Sequence, residues 1–469
     1  MKIAFVHYHL KTGGVTTVLK RQIDALAGAC DLMVLTGDRA DAQLPCAVEE
    51  ISGLGYDQPG QSPLPPDRVV EQVHKTLHRK WPEGCDLLHI HNPTLAKNRG
   101  FLQVVRHLQH SGAAPFLQIH DFAEDGRPQL YFDEPYIENC HYGVINRRDE
   151  AILKAAGLDG SGLHYLPNAV DIMPVRENQP PKKQVLYPVR AIRRKNLGEA
   201  LLLALFFRDG QRLAITQPPN SPADAVSYRD WVNWSAANGL PVDFEVGRNA
   251  AFASIVAASQ SMITTSVSEG FGLAFLETWT AGKPLWGRRL DDICGDYEES
   301  GIDLKSLYER IDVPLDWIDP DDFSSRWHGA VRRAARRFGY AVSNAASLKA
   351  FDRLTENSTI DFGMLDEKSQ RQVLARLIAA PSTKKELIRT NPWLANAGGL
   401  TTAAGVIQSN RKAVLDHFGM DRYRDRLLRI YNRVVNHPVR QRIDKEILLR
   451  SFFRLDHFSL LKWAAYAGS

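Results

Sequence analysis

Apolar residues occur along this chain in short blocks separated by polar or glycine-bearing stretches. Residues 3–7 form an apolar run of strand length, residues 16–26 repeat apolar positions at helical spacing, and residues 31–36 are apolar again. Further runs at 87–91, 116–120 and 142–145 read as strands, the first two ending in polar residues, and the Pro- and Gly-rich stretch 57–66 predicts a loop. Strands alternating with helices predict a parallel sheet covered on both faces. Residues 172–183 place Pro174, Pro180 and Pro181 among charges and predict a linker. Beyond it a second α/β series begins, with strands at 185–189, 212–216, 242–246 and 262–266 and helices at 199–207 and 228–238. The expected fold class is α/β, with two doubly wound Rossmann-like domains facing a cleft. From about residue 321 the chain turns to Arg- and Ala-rich helices at 323–338, 367–379, 410–417 and 423–434, and 444–467 continues the apolar periodicity.

A length of 469 residues exceeds one ordinary core, so two or three domains are expected. Hydrophobic content of 44% and charged content of 24% describe a globular chain. A net charge of +4 without a long basic block argues against nucleic acid, yet suits a small anionic substrate. Five scattered cysteines without a C-x-x-C pair predict reduced thiols in the cytoplasm, not a disulfide framework or structural zinc. The apolar start at residues 1–6 is broken by His7, His9 and Lys11. It is too short for a leader or a membrane span, so no integral membrane segment is expected.

The most informative segment is Ser268-Glu269-Gly270-Phe271-Gly272-Leu273-Ala274-Phe275-Leu276-Glu277, which follows a predicted strand. Glu269 stands at the carboxyl end of that strand, where open α/β sheets bind ligands. Gly270 and Gly272 let a ligand approach the backbone, a new helix N-terminus offers N–H groups to phosphate, and Glu277 can accept from paired hydroxyls. One glutamate near a helix start is ordinary dipole complementation; two flanking this turn read as a nucleotide-sugar site. Gly13 and Gly14 make a phosphate-approach turn, although a plain strand-to-helix connection accounts for them equally well, since neither G-x-G-x-x-G nor a Walker loop is present. His89 and His91 share a strand face at a spacing metals use, but no third ligand is near in sequence, and no metal site is expected. His120, before Asp121, ends the strand at 116–120, where such sheets present working residues. Arg190, Arg193, Arg194 and Lys195 follow the first strand of the second series. They are either a solvated basic loop or a cradle for a diphosphate.

In this order the segments resemble the retaining glycosyltransferases of GT-B fold, family four, from Met1 to about Asp292. Glu269 to Glu277 matches the family's E-x7-E motif, and Tyr187-Pro188-Val189-Arg190 through Lys195 matches its donor-phosphate loop. Leu166-Pro167-Asn168-Ala169-Val170-Asp171 matches the segment before the crossover. Gly13-Gly14-Val15, His89-Ile90-His91 and Ile119-His120-Asp121 match the first domain. The resemblance implies transfer of a hexose from a nucleotide diphosphate sugar, UDP-glucose or GDP-mannose type, to a hydroxyl acceptor. Arg190 and Lys195 would hold the diphosphate and Glu269 would face the sugar. Gly270, Phe271, Gly272 and Leu273 would line the sugar-phosphate, Gly13 and Gly14 would join the donor site, Glu277 would hold the ribose, and His120 would approach the reacting sugar. No cofactor and no metal are implied. The expected domains are 1–173 on the acceptor side, 184–440 for the donor with a helical insertion at about 321–430, and 441–469 returning to the first domain. Thr216-Gln217-Pro218-Pro219-Asn220 and Trp286-Gly287-Arg288-Arg289 depart from the family's pattern. A glycoside phosphorylase of the same fold and a non-catalytic nucleotide-sugar-binding protein are the alternatives.

Overall fold

The computed structural model of the chain describes all residues except 39–42, 174–181, 209, 398–401 and 467–469. The expected linker at 172–183 lies mostly outside the described residues. The chain divides into two compact units, one of Met1–Val170 with Asp416–Phe453, the other of Asp171–Leu415 with the residues from Arg454 on.

The first unit is built on seven parallel strands: β1 (Lys2–His7), β2 (Asp31–Thr36), β3 (Ala47–Glu50), β4 (Leu87–His91), β5 (Pro115–Ile119), β6 (His141–Val144) and β7 (Leu163–Tyr165), in the order β3-β2-β1-β4-β5-β6-β7. Alternation along the strands feeds two cores. Ala4 and Val6 of β1 join Met33, Leu35, Leu88, Ile90, Leu117 and Ile119 on one face. Ile3 and Phe5 join Leu32, Val34, Leu87 and Phe116 on the other. By the same alternation, His89, His91 and Gln118 lie on that second face.

What covers that face comes from far along the chain. The helix Met420–Asn436 buries Tyr423, Leu427, Ile430, Tyr431 and Val434, a stripe at helical spacing, against Leu19, Ile23 and Leu26 of the helix Gly14–Leu26 and against the strands. The helix Lys445–Phe452 adds Leu448 and Phe452 to the opposite core, where Phe452 meets Phe122 at a centroid distance of 5.0 Å. The returning segment thus begins at Asp416, not 441, and ends at Phe453. Phe458 belongs to the second unit, where its ring meets Trp327 at 5.8 Å. The chain changes partner there because Trp327, on the helix Pro320–Arg337, also donates its indole N–H to the Phe458 carbonyl (3.0 Å).

The second unit has six parallel strands, β8 (Gln184–Arg190), β9 (Arg212–Gln217), β10 (Val242–Asp243), β11 (Ser261–Thr264), β12 (Leu285–Arg288) and β13 (Leu307–Tyr308), ordered β10-β9-β8-β11-β12-β13. The strand expected at 242–246 stops at Asp243, and two residues on Glu245 takes a left-handed φ of 59° that no strand accommodates. A short antiparallel ladder was not foreseen: it pairs β14 (Asp312–Pro314), just before the expected helical insertion, with β15 (Thr359–Asp361) inside it. It anchors one end of a buried ion cluster. The Arg288 guanidinium, 5% exposed, meets Glu199 at 2.7 Å and Asp361 at 2.8 Å. Gly287 beside it is required: at φ 133° a Cβ would sit 2.0 Å from the Thr264 carbonyl oxygen. The Trp286-Gly287-Arg288-Arg289 departure is therefore a packing device joining β12 to the insertion.

Candidate active site

At the carboxyl ends of β8 and β11 two loops are stitched together. The Tyr187 hydroxyl donates to the Lys195 carbonyl (2.6 Å), and the Thr265 hydroxyl donates to the carbonyls of Lys195 and Asn196 (both 3.1 Å). The Val267 N–H reaches the Arg194 carbonyl at 2.9 Å. Asn196 holds a left-handed φ of 53°, and Gln370 steadies it by donating to its side-chain oxygen (2.8 Å). The result brings the Lys195 ammonium into an ion pair with Glu269. Burial pushes the Glu269 carboxyl up, but Lys195 and then Arg194 outweigh it and hold the group below the usual carboxylate range. Arg190, half-buried at the end of β8, donates to Gln217 Oε1 at 3.3 Å.

The turn from Glu269 onward is shaped by Gly272, whose φ of 65° and whose neighbours Phe275 and Ile293, 2.7 and 2.8 Å from a built Cβ, exclude a side chain. The Tyr297 hydroxyl is anchored on the Phe271 carbonyl. Among the described residues, the backbone N–H groups of Gly272, Leu273 and Ala274 donate to no protein acceptor. The helix that follows, Ala274–Thr280, has only seven residues, so the turn's own N–H groups are what this segment offers an anion. Glu277 lies half-buried in that helix.

In the first unit the histidines singled out from the sequence form a buried row. His89 is taken up at both nitrogens, Nδ1 by the Tyr431 hydroxyl (2.7 Å) and Nε2 by Gln118 Oε1 (2.9 Å). His91 Nδ1 meets His120 Nε2 at 2.9 Å. Burial drives all three rings toward neutrality: His120 to about 4, His89 to about 3, and His91 well below its ordinary value. Neutral rings leave a choice of tautomer, and burial makes it. His91 Nε2 is sealed with no partner among the described residues. An orphaned acceptor there costs less than an orphaned N–H. The proton therefore belongs on His91 Nδ1, which donates to His120 Nε2, and His120 carries its own proton on Nδ1. The backbone around His120 is held by Asn92, which has a left-handed φ of 56° and accepts from the N–H groups of His120 (2.9 Å) and Asp121 (3.0 Å).

Gly13 and Gly14 line a cavity of about 140 Å³ in this same unit, together with His7, His9, Tyr56, Asn92, Lys97 and Asp121. Tyr56, Asn92 and Lys97 were not singled out from the sequence. Only the asparagine carries a local signal, as a residue tolerant of left-handed backbone just after a strand. Among the described residues no group of three or more His, Cys, Asp or Glu could hold a metal ion. The five cysteines are free, and among the described residues no helix is long and apolar enough to cross a membrane.

Two successive doubly wound units with polar loops at their strand ends make the GT-B architecture, and comparison with known proteins identifies the chain as a glycosyltransferase of that fold. No protein-family model matches it. Mannosylglucosyl-3-phosphoglycerate synthase of Petrotoga mobilis is 23% identical over 513 aligned positions, taking in 97% of this chain and 98% of the relative. Sucrose-phosphate synthase from Thermosynechococcus elongatus shares the fold with a TM-score of 0.54 at 16% identity, over 92% of this chain and 98% of that one. Anabaena HepE, solved in complex with UDP-glucose, gives a TM-score of 0.54 at 14% identity with the same coverage.

Proposed function

We propose that the protein transfers a hexose, with retention at the anomeric carbon, from a nucleotide diphosphate sugar of the UDP-glucose or GDP-mannose type to a hydroxyl acceptor. The observation that carries this reading is the Lys195–Glu269 pair, followed along the chain by a turn whose Gly272, Leu273 and Ala274 N–H groups donate to no protein acceptor among the described residues. A departing nucleoside diphosphate gains negative charge as its bond to the sugar lengthens. Fixed cations and N–H groups answer that charge without reorganising. Arg190 and Lys195 bind the diphosphate, while Lys195 keeps Glu269 ionised next to a sugar carbon that turns positive. Glu277 holds the ribose, and the Nδ1–H of His120 is a donor for a sugar hydroxyl. Gly13 and Gly14 offer backbone without side chains, in keeping with a place in the donor site. The cationic side chains supply what a divalent ion would otherwise supply, so turnover persists in excess EDTA.

Free thiols fit a reducing compartment, and we place the protein in the cytoplasm. The Petrotoga mobilis relative is named for a product containing 3-phosphoglycerate, so glycosides of that acid are the first acceptors to try. The test is a thermal-shift series with UDP, GDP and ADP, followed by product detection with the sugar of whichever nucleotide binds. Binding of UDP or GDP with release of that nucleotide on turnover is the expected result. Consumption of inorganic phosphate, or no response to any nucleotide, would sink the assignment.

A further inference from the structure

The cavity of the first unit contains a cation whose hydrogen-bond partner is a neutral phenol. Lys97 donates its ammonium to the Tyr56 hydroxyl at 2.7 Å and lies 4.5 Å from the centre of the Tyr56 ring. That hydroxyl also meets His9 Nε2 at 3.1 Å. Among the described residues no carboxylate stands within ion-pair distance of the Lys97 ammonium. Asp121, the acid on the cavity wall, is answered by Arg127 at 2.9 Å. His7 is held well below its usual range by burial and by neighbouring His9, His120 and Lys97, so it adds neither a charge nor a counter-charge. Burial brings Lys97 itself down to about 8, with Arg127 acting in the same direction and Asp121 opposing both. A half-buried ammonium with a neutral phenol as partner is costly, and such groups are ordinarily paired. An ammonium has three hydrogens to give, and Tyr56 takes one.

We propose that this cavity is the acceptor's site and that the acceptor carries an anionic group, a carboxylate or a phosphate, which pairs with Lys97. The inference rests on the transferase reading given above and narrows its substrate class. The volume, about 140 Å³, suits a small acid or the acidic end of a larger glycoside. Gly13 and Gly14 keep one wall free of side chains, since a Cβ on Gly14 would meet nothing within 4 Å. The apolar edge of Leu95 and the ring of Tyr56 bound the rest, and His9 and Asn92 remain as polar groups for hydroxyls.

The experiment titrates four small probes by calorimetry into the wild-type chain and into Lys97→Met, which keeps the length of the stem. The probes are 3-phosphoglycerate, glycerol 3-phosphate, glycerate and glycerol. Wild type is expected to bind at least one of the three anions and to bind glycerol far more weakly. Lys97→Met should lose at least tenfold in affinity for the anion while its melting temperature and its affinity for UDP or GDP stay as in wild type. Glycerol 3-phosphate against glycerate tells phosphate from carboxylate. No anion binding by wild type, or equal binding by the variant, overturns the proposal. So does a matching loss of UDP or GDP affinity in Lys97→Met, which would assign the lysine to the donor's diphosphate. Should Lys97→Met melt early, Tyr56→Phe removes the hydroxyl but keeps the ring; unchanged or tighter anion binding is then expected, and lost binding counts against Lys97 as the recognising group. Because the anion arm is read without donor, a failure of the transferase reading appears separately, as wild type that binds neither UDP nor GDP.

Discussion

The two units present the same sheet ends to very different chemistry. In the second, the groups at the ends of β8 and β11 are charged and already paired, Lys195 with Glu269, and the buried Arg288 behind them is closed by Glu199 and Asp361. In the first, the corresponding ends carry neutral histidines stacked in a row, with His91 and His120 rings 5.2 Å apart, around one lysine without a counter-charge. Paired charges hold their geometry before any ligand arrives, which suits stabilisation of charge that develops during a reaction. Neutral rings and a waiting cation suit recognition, because they leave hydrogen-bonding capacity to be filled by what binds. The difference teaches that one architecture, used twice, can divide electrostatic work from recognition.

The comparison breaks most severely at Arg288. Arg288→Met leaves two buried carboxylates, Glu199 and Asp361, without a counter-charge and should cost about 3–5 kcal/mol. Denaturant unfolding followed by tryptophan fluorescence should show the loss in the second unit alone, which holds Trp279, Trp286 and Trp327. An unchanged midpoint would mean the cluster does not support the donor side. Next in size is Lys195→Ala, expected to lower turnover by about a hundred- to a thousand-fold, as removal of one charge-stabilising donor does. The same variant has a pH signature. With its value held below the ordinary one, Glu269 contributes stability above about pH 4, and that contribution is lost as pH falls through the lowered value. Without Lys195 the strongest interaction opposing burial is lost and the value rises, so acid unfolding of the second unit should begin at higher pH. Identical acid limbs in the two proteins would show that the ion pair is not formed in solution.

The two glutamates sharpen the division within the second unit. Glu277→Ala should raise KM by about tenfold with kcat kept, because ribose contacts exist equally before and during reaction. Glu269→Ala should lower kcat as well, and the reverse pattern in steady-state kinetics would overturn the roles. The smallest effect belongs to the first unit. His91→Phe keeps the stacking but removes the donor to His120, a change worth about 1 kcal/mol. The informative readout is the 15N spectrum of His120: a single Nδ1–H tautomer in wild type and a mixture in the variant. An Nε2–H tautomer in wild type would reverse the assignment.

Much of the loop from Glu269 to Glu277 was legible because its parts are near neighbours in the chain. Glu269, Gly272 and Glu277 are placed by one turn, and Gly272 is demanded by a local φ. The strand alternation also told correctly that two parallel sheets would form, and it put His89 and His91 on a common face. It could not tell what meets that face. The hydroxyl that occupies His89 comes from Tyr431, 342 residues away, and the partner of Lys97 is Tyr56, 41 residues away. The returning segment was misjudged for the same reason. Its helices are amphipathic over their whole length, and amphipathicity says that a face is buried without saying against which sheet.

Composition, periodicity and local turn chemistry thus determined the elements, the doubled sheet and the loop from Glu269 to Glu277. Those are properties of residues a few positions apart, settled by backbone sterics and by the spacing of apolar side chains. Tertiary structure alone decided which charges are neutralised, which histidine nitrogen carries a proton and which lysine is left unpaired. Each of these depends on burial and on partners brought from distant parts of the chain, and neither is written in the sequence nearby.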